Sequence, residues 1–410
     1  MDFSLNEEQR AWQLKARKFA QEEIAPISLQ RDAFVDPRET FDWEIIRKGS
    51  KLGFRTAAAP KEWGGHGIDS VTQAVVMAEL AKGDFAISKS FSQCWKWSQS
   101  IAAMCTPEQK ERFLKPFVAD DTYLLGAAIT EPSAGSDNRV PPANDPRAGY
   151  RLKAERKGDE WILNGDKCYI AHGPVAKLFF VFTRTNPDVS IREGTTLFLM
   201  PSNTPGFRVG KVFNKVGWRF YQNAELIFEN ARLPHANVVG EVNGGAKGGS
   251  VETLGFGELE LAASTVGVCD AAVEMAMAEA RTRRVGGKYL GEHQVIQLKL
   301  STMHVLTEAL RAYVMRTAWE RDRAAHGDKS VPVSEDAHFV MTFSKDAIQQ
   351  VTTLNMEIHG AAGAMMNVGA EKLFRDAMTM HVSGDIVQRT TPIRHLLTAS
   401  REENKKGKRS

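Results

Sequence analysis

The spacing of apolar residues changes twice along this 410-residue chain, and no other feature narrows its possible folds as far. Residues 1 to about 122 follow a helical period. After Asn6-Glu-Glu-Gln9, apolar or small positions recur at Trp12, Leu14, Ala16, Phe19 and Ile24, and Pro26 is expected to end that helix. Further helices are predicted from about Phe41 to just before Gly53, over Val71 to Lys82 and over Pro107 to Val118, with Pro60-Lys-Glu-Trp-Gly-Gly-His-Gly67 as a loop. From about 123 to 235 the pattern becomes that of strands, with apolar runs at Leu178 to Thr183, Thr196 to Met200 and Leu226 to Phe228. Glu160-Trp-Ile-Leu163 followed by Asn164-Gly165 predicts a hairpin with a type I′ turn. Past the glycine-rich stretch Gly240 to Gly249 the helical period returns. Ala262 to Arg283 and the stretches 291–326, 333–358 and 385–399 predict four long antiparallel helices. The expectation is an α+β multi-domain chain: an N-terminal helical domain (1–122), a middle β-barrel-like domain (123–240), a C-terminal four-helix bundle (241–400) and a basic tail (401–410).

Composition excludes several functions. A formal charge of +3 is small for this length, and the local basicity sits in the tail at Lys405, Lys406, Lys408 and Arg409, so nucleic acid is not an expected partner. Cys94, Cys105, Cys168 and Cys269 show no CxxC spacing and no clustered histidines, which argues against a metal site or a disulfide framework and for a reducing compartment. The polar, acidic start is unlike a targeting peptide, and no apolar run approaches the ~20 residues of a membrane helix. A cytoplasmic protein without a membrane partner is expected.

Where the β region begins, Leu125-Gly-Ala-Ala-Ile-Thr-Glu-Pro-Ser-Ala-Gly-Ser-Asp137 passes from an apolar run into a Thr-Glu-Pro turn and a Gly/Ser loop. Backbone N–H groups and the hydroxyls of Thr130, Ser133 and Ser136 suit a ring edge or a phosphate, and Gly135 permits close approach. This loop resembles the flavin-binding signature of the acyl-CoA dehydrogenase family. Three further segments resemble the same family: Val216-Gly-Trp-Arg219 to Ile227-Phe-Glu-Asn-Ala-Arg-Leu-Pro234; Arg283 to Gln297, containing His293 and Gln294; and Glu357-Ile-His-Gly-Ala-Ala-Gly363, followed by Lys372-Leu-Phe-Arg-Asp-Ala377. Taken alone, Arg283 reads as a surface ion pair, and Gly360 and Gly363 as a turn between helices.

The resemblance implies FAD, shared between subunits of a homotetramer arranged as a dimer of dimers. Ile129, Thr130, Gly135 and Ser136 with the strand Tyr169-Ile170-Ala171 would flank the ring. Arg283, His293, Gln294, Glu357, Ile358 and Gly360 would hold the adenosine diphosphate part. An acyl-CoA substrate would lie near Cys94, Ser136 and Ser383, and an electron-transfer flavoprotein would accept the electrons. Two departures stand out. Ala171 occupies a position where the family usually has a threonine bonded to the flavin, and Glu357 one where glutamine is common, so a negative charge faces a diphosphate unless His359 or an arginine compensates.

The usual base is also missing. Acyl-thioester desaturation needs a carboxylate to remove the α proton while the β hydrogen leaves as hydride. Most of the family carries that glutamate before its last helix, where this chain has Met380-His-Val-Ser-Gly-Asp-Ile-Val-Gln-Arg389, the position falling on Val382 or Ser383. A minority carry it where Gly257 stands. The replacements are Glu258, which reads equally as a first-turn helix carboxylate, and Asp385, which also suits a helix N-cap. Phe91 to Ser100 holds no acid, and His172 and His381 read as packing histidines. The expected function is FAD-dependent desaturation of a cyclic or otherwise unusual acyl-CoA. The alternatives are oxygen-using oxidation of the nitroalkane oxidase or flavin monooxygenase type, acyl-CoA desulfination, or a flavin-retaining protein without activity.

Overall fold

The computed structural model describes residues 4–138, 145–244, 258–328, 330–331, 336–382, 389, 390, 393 and 397. Its N-terminal part comprises α1 (Glu7–Phe19), α2 (Ala25–Ala33), α3 (Trp43–Lys51), α4 (Ser70–Gly83), α5 (Phe85–Met104), α6 (Pro107–Gln109) and α7 (Lys115–Ala119). Asn6 and Gln9 form a capping box that starts α1. Pro26 does not end the helical run. A π-turn over Ala20–Ile24 intervenes, and Pro26 enters the first turn of α2.

No apolar stripe announces α5, because it is covered on all sides. Phe85, Ile87, Phe91 and Trp95 are buried, but so are Ser88, Ser90, Ser92 and Ser98. Serines at this depth satisfy themselves locally, Ser88 donating to Phe85 O, Ser90 to Ala86 O and Ser98 to Trp95 O.

The middle part holds β1 (Leu124–Ala128), β2 (Lys153–Lys157), β3 (Glu160–Ala171), β4 (Ala176–Arg184), β5 (Thr195–Pro201), β6 (Phe207–Val212), β7 (Asn223–Pro234) and β8 (Val238–Val239), with the short α8 (Ile191–Gly194) before β5. Strand order is β6-β7-β3-β2-β4-β5-β8, and β1 lies parallel to β4. Side-chain alternation along β4 serves two cores: Phe179 and Val181 face the sheet's own core, whereas Leu178, Phe180 and Phe182 join the main core against the helices. Asn164-Gly165 is not a hairpin turn. Leu163 pairs with Ala231 and Gly165 with Phe228, so β7 runs past both residues and the dipeptide marks a bulge, with Gly165 at φ 136°. Asn164 closes the bulge by accepting the N–H of Asn230 at 2.8 Å. The reversal into β3 falls earlier, at Gly158.

The C-terminal part contains α9 (Glu258–Thr282), a two-stranded turn of β9 (Arg284–Val285) and β10 (Lys288–Tyr289), α10 (Gln294–Ala325), α11 (Asp336–His359) and α12 (Ala370–Val382). Most of the helix expected over 385–399 lies outside the described residues. In length and composition α9 would suffice to cross a membrane, yet most of it is buried where it packs on α4, α10 and α11.

A buried hub fastens the three parts. Lys372 on α12 contacts Asp376 at 2.8 Å and Asp84, the N-cap of α5, at 2.9 Å. Asp84 also accepts from Ser28 of α2 at 2.5 Å, and Asp376 accepts the N–H of Trp218 at 2.7 Å. Beside it, Arg375 pairs with Asp32 and Glu371 and donates to Val216 O. The two carboxylates hold the Lys372 ammonium well above its ordinary pKa, outweighing burial.

Candidate functional site

The loop after β1 is closed on itself and braced from beneath. Glu131 and Ala134 exchange backbone hydrogen bonds of 3.0 and 3.2 Å. The Glu131 carboxylate points inward, accepting the N–H groups of Arg151 at 2.6 Å and Leu152 at 2.8 Å. It pairs with fully buried Lys167 at 2.8 Å, whose amine also donates to Ile129 O and sits over the Tyr150 ring. Burial pushes Lys167 down to about 8, against the pull of Glu131. Neither residue was singled out from the sequence; the usable signal was a lysine inside an apolar strand.

This bracing leaves Ile129 and Thr130 half-buried at the rim, with Thr130 O tied to Cys168 N at 2.9 Å. Not every loop N–H points outward as expected: Gly135 N donates to Asp137, whose other oxygen accepts Gly149 N. Gly135 instead stands beside open space, since a Cβ there would meet no atom within 4 Å. Ser136 is exposed in the turn Ser136–Asn138. Across the sheet, a shift in the β3–β7 register before Ile170 turns Tyr169 outward at φ 58°; the residue is 61% exposed, and its ring centroid lies 4.7 Å from that of Phe213. Ala171 ends the strand opposite Asn223.

A second cluster forms at the far end of α11. Gly360 takes φ 61°, a conformation suited to glycine, and the guanidinium of Arg283 lies 3.6 Å from where its Cβ would be. Arg283 donates to His359 O at 2.9 Å and pairs with Glu279 at 3.3 Å. His293 approaches through the β9–β10 turn, bonding to Val285 O at 3.0 Å, and Gln294 starts α10. Ile358 is buried beneath. The charge on Glu357 is compensated by neither His359 nor an arginine but by Lys299 of α10, at 2.8 Å. Among the described residues no hydrogen bond, ion pair or ring contact joins this cluster to the loop after β1.

Of the expected substrate and base residues, Cys94 is fully buried in the main core, its thiol pushed up to about 11 by burial. Glu258 is half-buried on the first turn of α9. Ser383 and Asp385 lie outside the described residues. Two buried charged residues were missed in the sequence reading: Glu260, between Leu259 and Leu261 on α9, and Lys89 on α5. His172 is a core histidine as expected. It bonds to Leu125 O at 3.1 Å and is pushed down to about 3, mainly by burial.

Residues 6–121, 126–231 and 249–384 match, respectively, the N-terminal, middle and C-terminal domains of acyl-CoA dehydrogenase. The chain is 30% identical to the probable acyl-CoA dehydrogenase YngJ of Bacillus subtilis over 97% of its own length and 100% of that protein. It is 29% identical to the cyclohex-1-ene-1-carbonyl-CoA dehydrogenase of Geobacter metallireducens, over 91% and 93% of the two chains. The butyryl-CoA dehydrogenase of Megasphaera elsdenii superposes with a TM-score of 0.87 at 29% identity, covering 97% of this chain and 100% of that one.

Helical, sheet and helical parts in this order, each matching its acyl-CoA dehydrogenase domain, define the class as flavin-dependent oxidoreductases of acyl thioesters. The chain belongs to the acyl-CoA dehydrogenase family, whose members bind FAD and act on the CH–CH group of acyl-CoA. Its own residues fit that cofactor: open space stands beside Gly135, an aromatic face is presented at Tyr169, and an arginine fork lies against a left-handed glycine.

Proposed function

We propose that this enzyme desaturates an acyl-CoA thioester with a cyclic or otherwise unusual acyl group and passes the electrons to an electron-transfer flavoprotein. The observation that supports this most is the loop braced by the buried Glu131–Lys167 pair, a rigid ring cradle at the junction of the β part and the helices. In this reading Ile129, Thr130, Gly135, Ser136, Tyr169 and Ala171 flank the flavin. Arg283, His293, Gln294, Glu357, Ile358 and Gly360 serve the diphosphate of FAD held by a second copy, which agrees with the separation of the two clusters in one chain. Lys299 removes the charge conflict that Glu357 would otherwise create.

A homotetramer supplies the second copy. Exposed Val295, Leu298 and Val305 on α10, with Met365 and Met366 beyond the glycine turn, offer it an apolar surface. Bound FAD supplies a two-electron acceptor. The chain's part is to bind the thioester, exclude water and take the α proton, for which Glu258 and Asp385 are candidates. The cyclic reading draws on the Geobacter relative, named for a cyclic thioester. The free, buried thiols of Cys94, Cys105, Cys168 and Cys269 support a cytoplasmic setting.

Anaerobic mixing with linear and cyclic acyl-CoA thioesters tests the reading. Bleaching of the flavin is expected, with turnover by an artificial acceptor but not by oxygen. Absence of bleaching by every thioester, together with oxygen-dependent consumption of a CoA-free substrate, would overturn it in favour of oxidase chemistry.

A further inference from the structure

A second set of ionisable side chains is buried around α5, where it packs on α9 and β1. Glu260, only 1% exposed, lies on the first turn of α9. Ser264 and Gly267 share its face, at i+4 and i+7. Gly267 shows which way that face points: a Cβ there would fall 2.0 Å from Ala78 O and 2.9 Å from Lys82 N, so the helix backbone is pressed onto α4. Two residues past Lys82 the chain turns at Asp84 into α5, which also packs on α9. Lys89, 8% exposed, lies one turn into α5, and among the described residues its amine has one hydrogen bond, to Ser92 Oγ at 3.3 Å.

The charges around Lys89 come from three elements. Burial pushes its amine down to about 8, Lys96 of α5 adds to this, and Glu260 and Glu258 of α9 oppose it. On the third side stands His172, close enough for Lys89, along with Lys215, to help keep it neutral. The His172 ring is buried, Nδ1 is held by Leu125 O, and Nε2 has no partner among the described residues. A buried ring nitrogen without a partner is an atom that a bound molecule or water satisfies. The cluster is a poor stability device, because burying each ion costs several kcal/mol.

The geometry points to Glu260 as the carboxylate that takes the α proton of the thioester, with Lys89 as the positioning residue that supplies the compensating charge. This rests on the acyl-CoA reading above and replaces Glu258 and Asp385 in the role of base. In the step, the Cα–H bond breaks and the proton passes to a Glu260 carboxylate oxygen. The electron pair of that bond stays on the thioester as its enolate, so one negative charge moves from protein to ligand. Lys89 belongs to the assignment because its ammonium offsets the charge of a carboxylate shielded from water.

Acetoacetyl-CoA isolates this step, since its α proton can leave without any oxidation and the bound enolate absorbs in the near ultraviolet. The holoenzyme is titrated with it across the neutral pH range, alongside Glu260→Gln, Glu260→Asp, Glu258→Gln, Lys89→Met and Lys89→Arg. Glu260→Gln is expected to lose at least about tenfold in enolate formation while binding the thioester within about threefold of the unaltered enzyme. Glu260→Asp, which keeps the carboxylate and withdraws it by one methylene, covers the case in which the Gln variant does not fold; partial loss of enolate is expected. Lys89→Met should move the acid limb of the enolate profile to higher pH by about one unit or more, and Lys89→Arg should restore it. A purely structural role would lower the melting temperature of the Glu260 variants and leave the enolate band intact, and that result overturns the assignment. So does a band lost in Glu258→Gln but kept in Glu260→Gln, or an acid limb that ignores Lys89→Met. If the unaltered enzyme binds no thioester and its flavin is bleached by none, it is the acyl-CoA reading itself that fails.

Discussion

Lys372 and Lys89 are both buried lysines on helices that meet at the domain junction, and they are handled in opposite ways. Lys372 touches two carboxylates within 2.9 Å, each further bonded to neighbouring groups, and its ammonium is held charged. Lys89 has one hydroxyl at 3.3 Å and feels its glutamates only at longer range, so burial dominates and its amine is pushed down to about 8. A saturated ion joins parts of a fold; an ion short of direct partners is free to change state when a ligand arrives. Lys167 stands between the two, paired directly with Glu131 yet also pushed down by burial.

The largest expected effect is at Lys372. Lys372→Met leaves Asp84 and Asp376 buried without their cation and should cost about 3–5 kcal/mol in urea unfolding. A loss under about 1 kcal/mol would break the distinction between the two lysines. Lys167→Met should cost less, about 2–3 kcal/mol, because Glu131 keeps two backbone N–H donors. It should also weaken flavin retention by loosening the loop under Ile129, measured by the fraction of FAD lost on dialysis.

Lys89→Met is expected to be neutral or stabilising near pH 7, and the sign of its pH dependence sharpens the contrast. A lysine whose folded pKa is depressed binds fewer protons in the native state, so its destabilising effect is largest below about 8 and fades as pH rises toward the ordinary 10.5. The stability of the unaltered protein minus that of Lys89→Met should therefore rise through that window, by up to about 1.4 kcal/mol per pH unit. For Lys372 the sign is opposite: its raised pKa gives stability that is complete below 10.5 and lost only at higher pH. The smallest effect belongs to Lys299→Ala. The partly exposed pair with Glu357 should contribute no more than about 1 kcal/mol to folding. Its larger consequence should be weaker FAD binding, read by fluorescence titration of the apoprotein.

The parts of the site that could be read from sequence are those set by short-range chemistry. The loop from Thr130 to Asp137, the outward Tyr169 and the glycine turn at Gly360 each depend on a few adjacent residues whose backbone preferences are local. Helix α5 escaped because its coverage on every side erased the periodicity that marks a helix, and with it went Lys89. Glu260 was passed over for Glu258 because neighbouring acids look alike in sequence, whereas on a helix residues two apart point to nearly opposite faces and only one of these is buried. The Asn164-Gly165 turn failed because β7 paired across it, and Pro26 failed because a π-turn made room for it.

The amino-acid sequence by itself determined the order of helical, sheet and helical parts and the loop chemistry that suits a flavin, since hydrophobic spacing and turn residues act over a few positions. Only the tertiary structure decided which charges are buried together: Lys372 with Asp84 and Asp376, Lys167 with Glu131, and Lys89 within electrostatic reach of Glu260. Those partners come from segments 36 to nearly 300 residues apart, excepting Asp376, which lies one helical turn from Lys372. The strength of an ionic contact depends on the water excluded around it, and that exclusion exists only once the layers have packed.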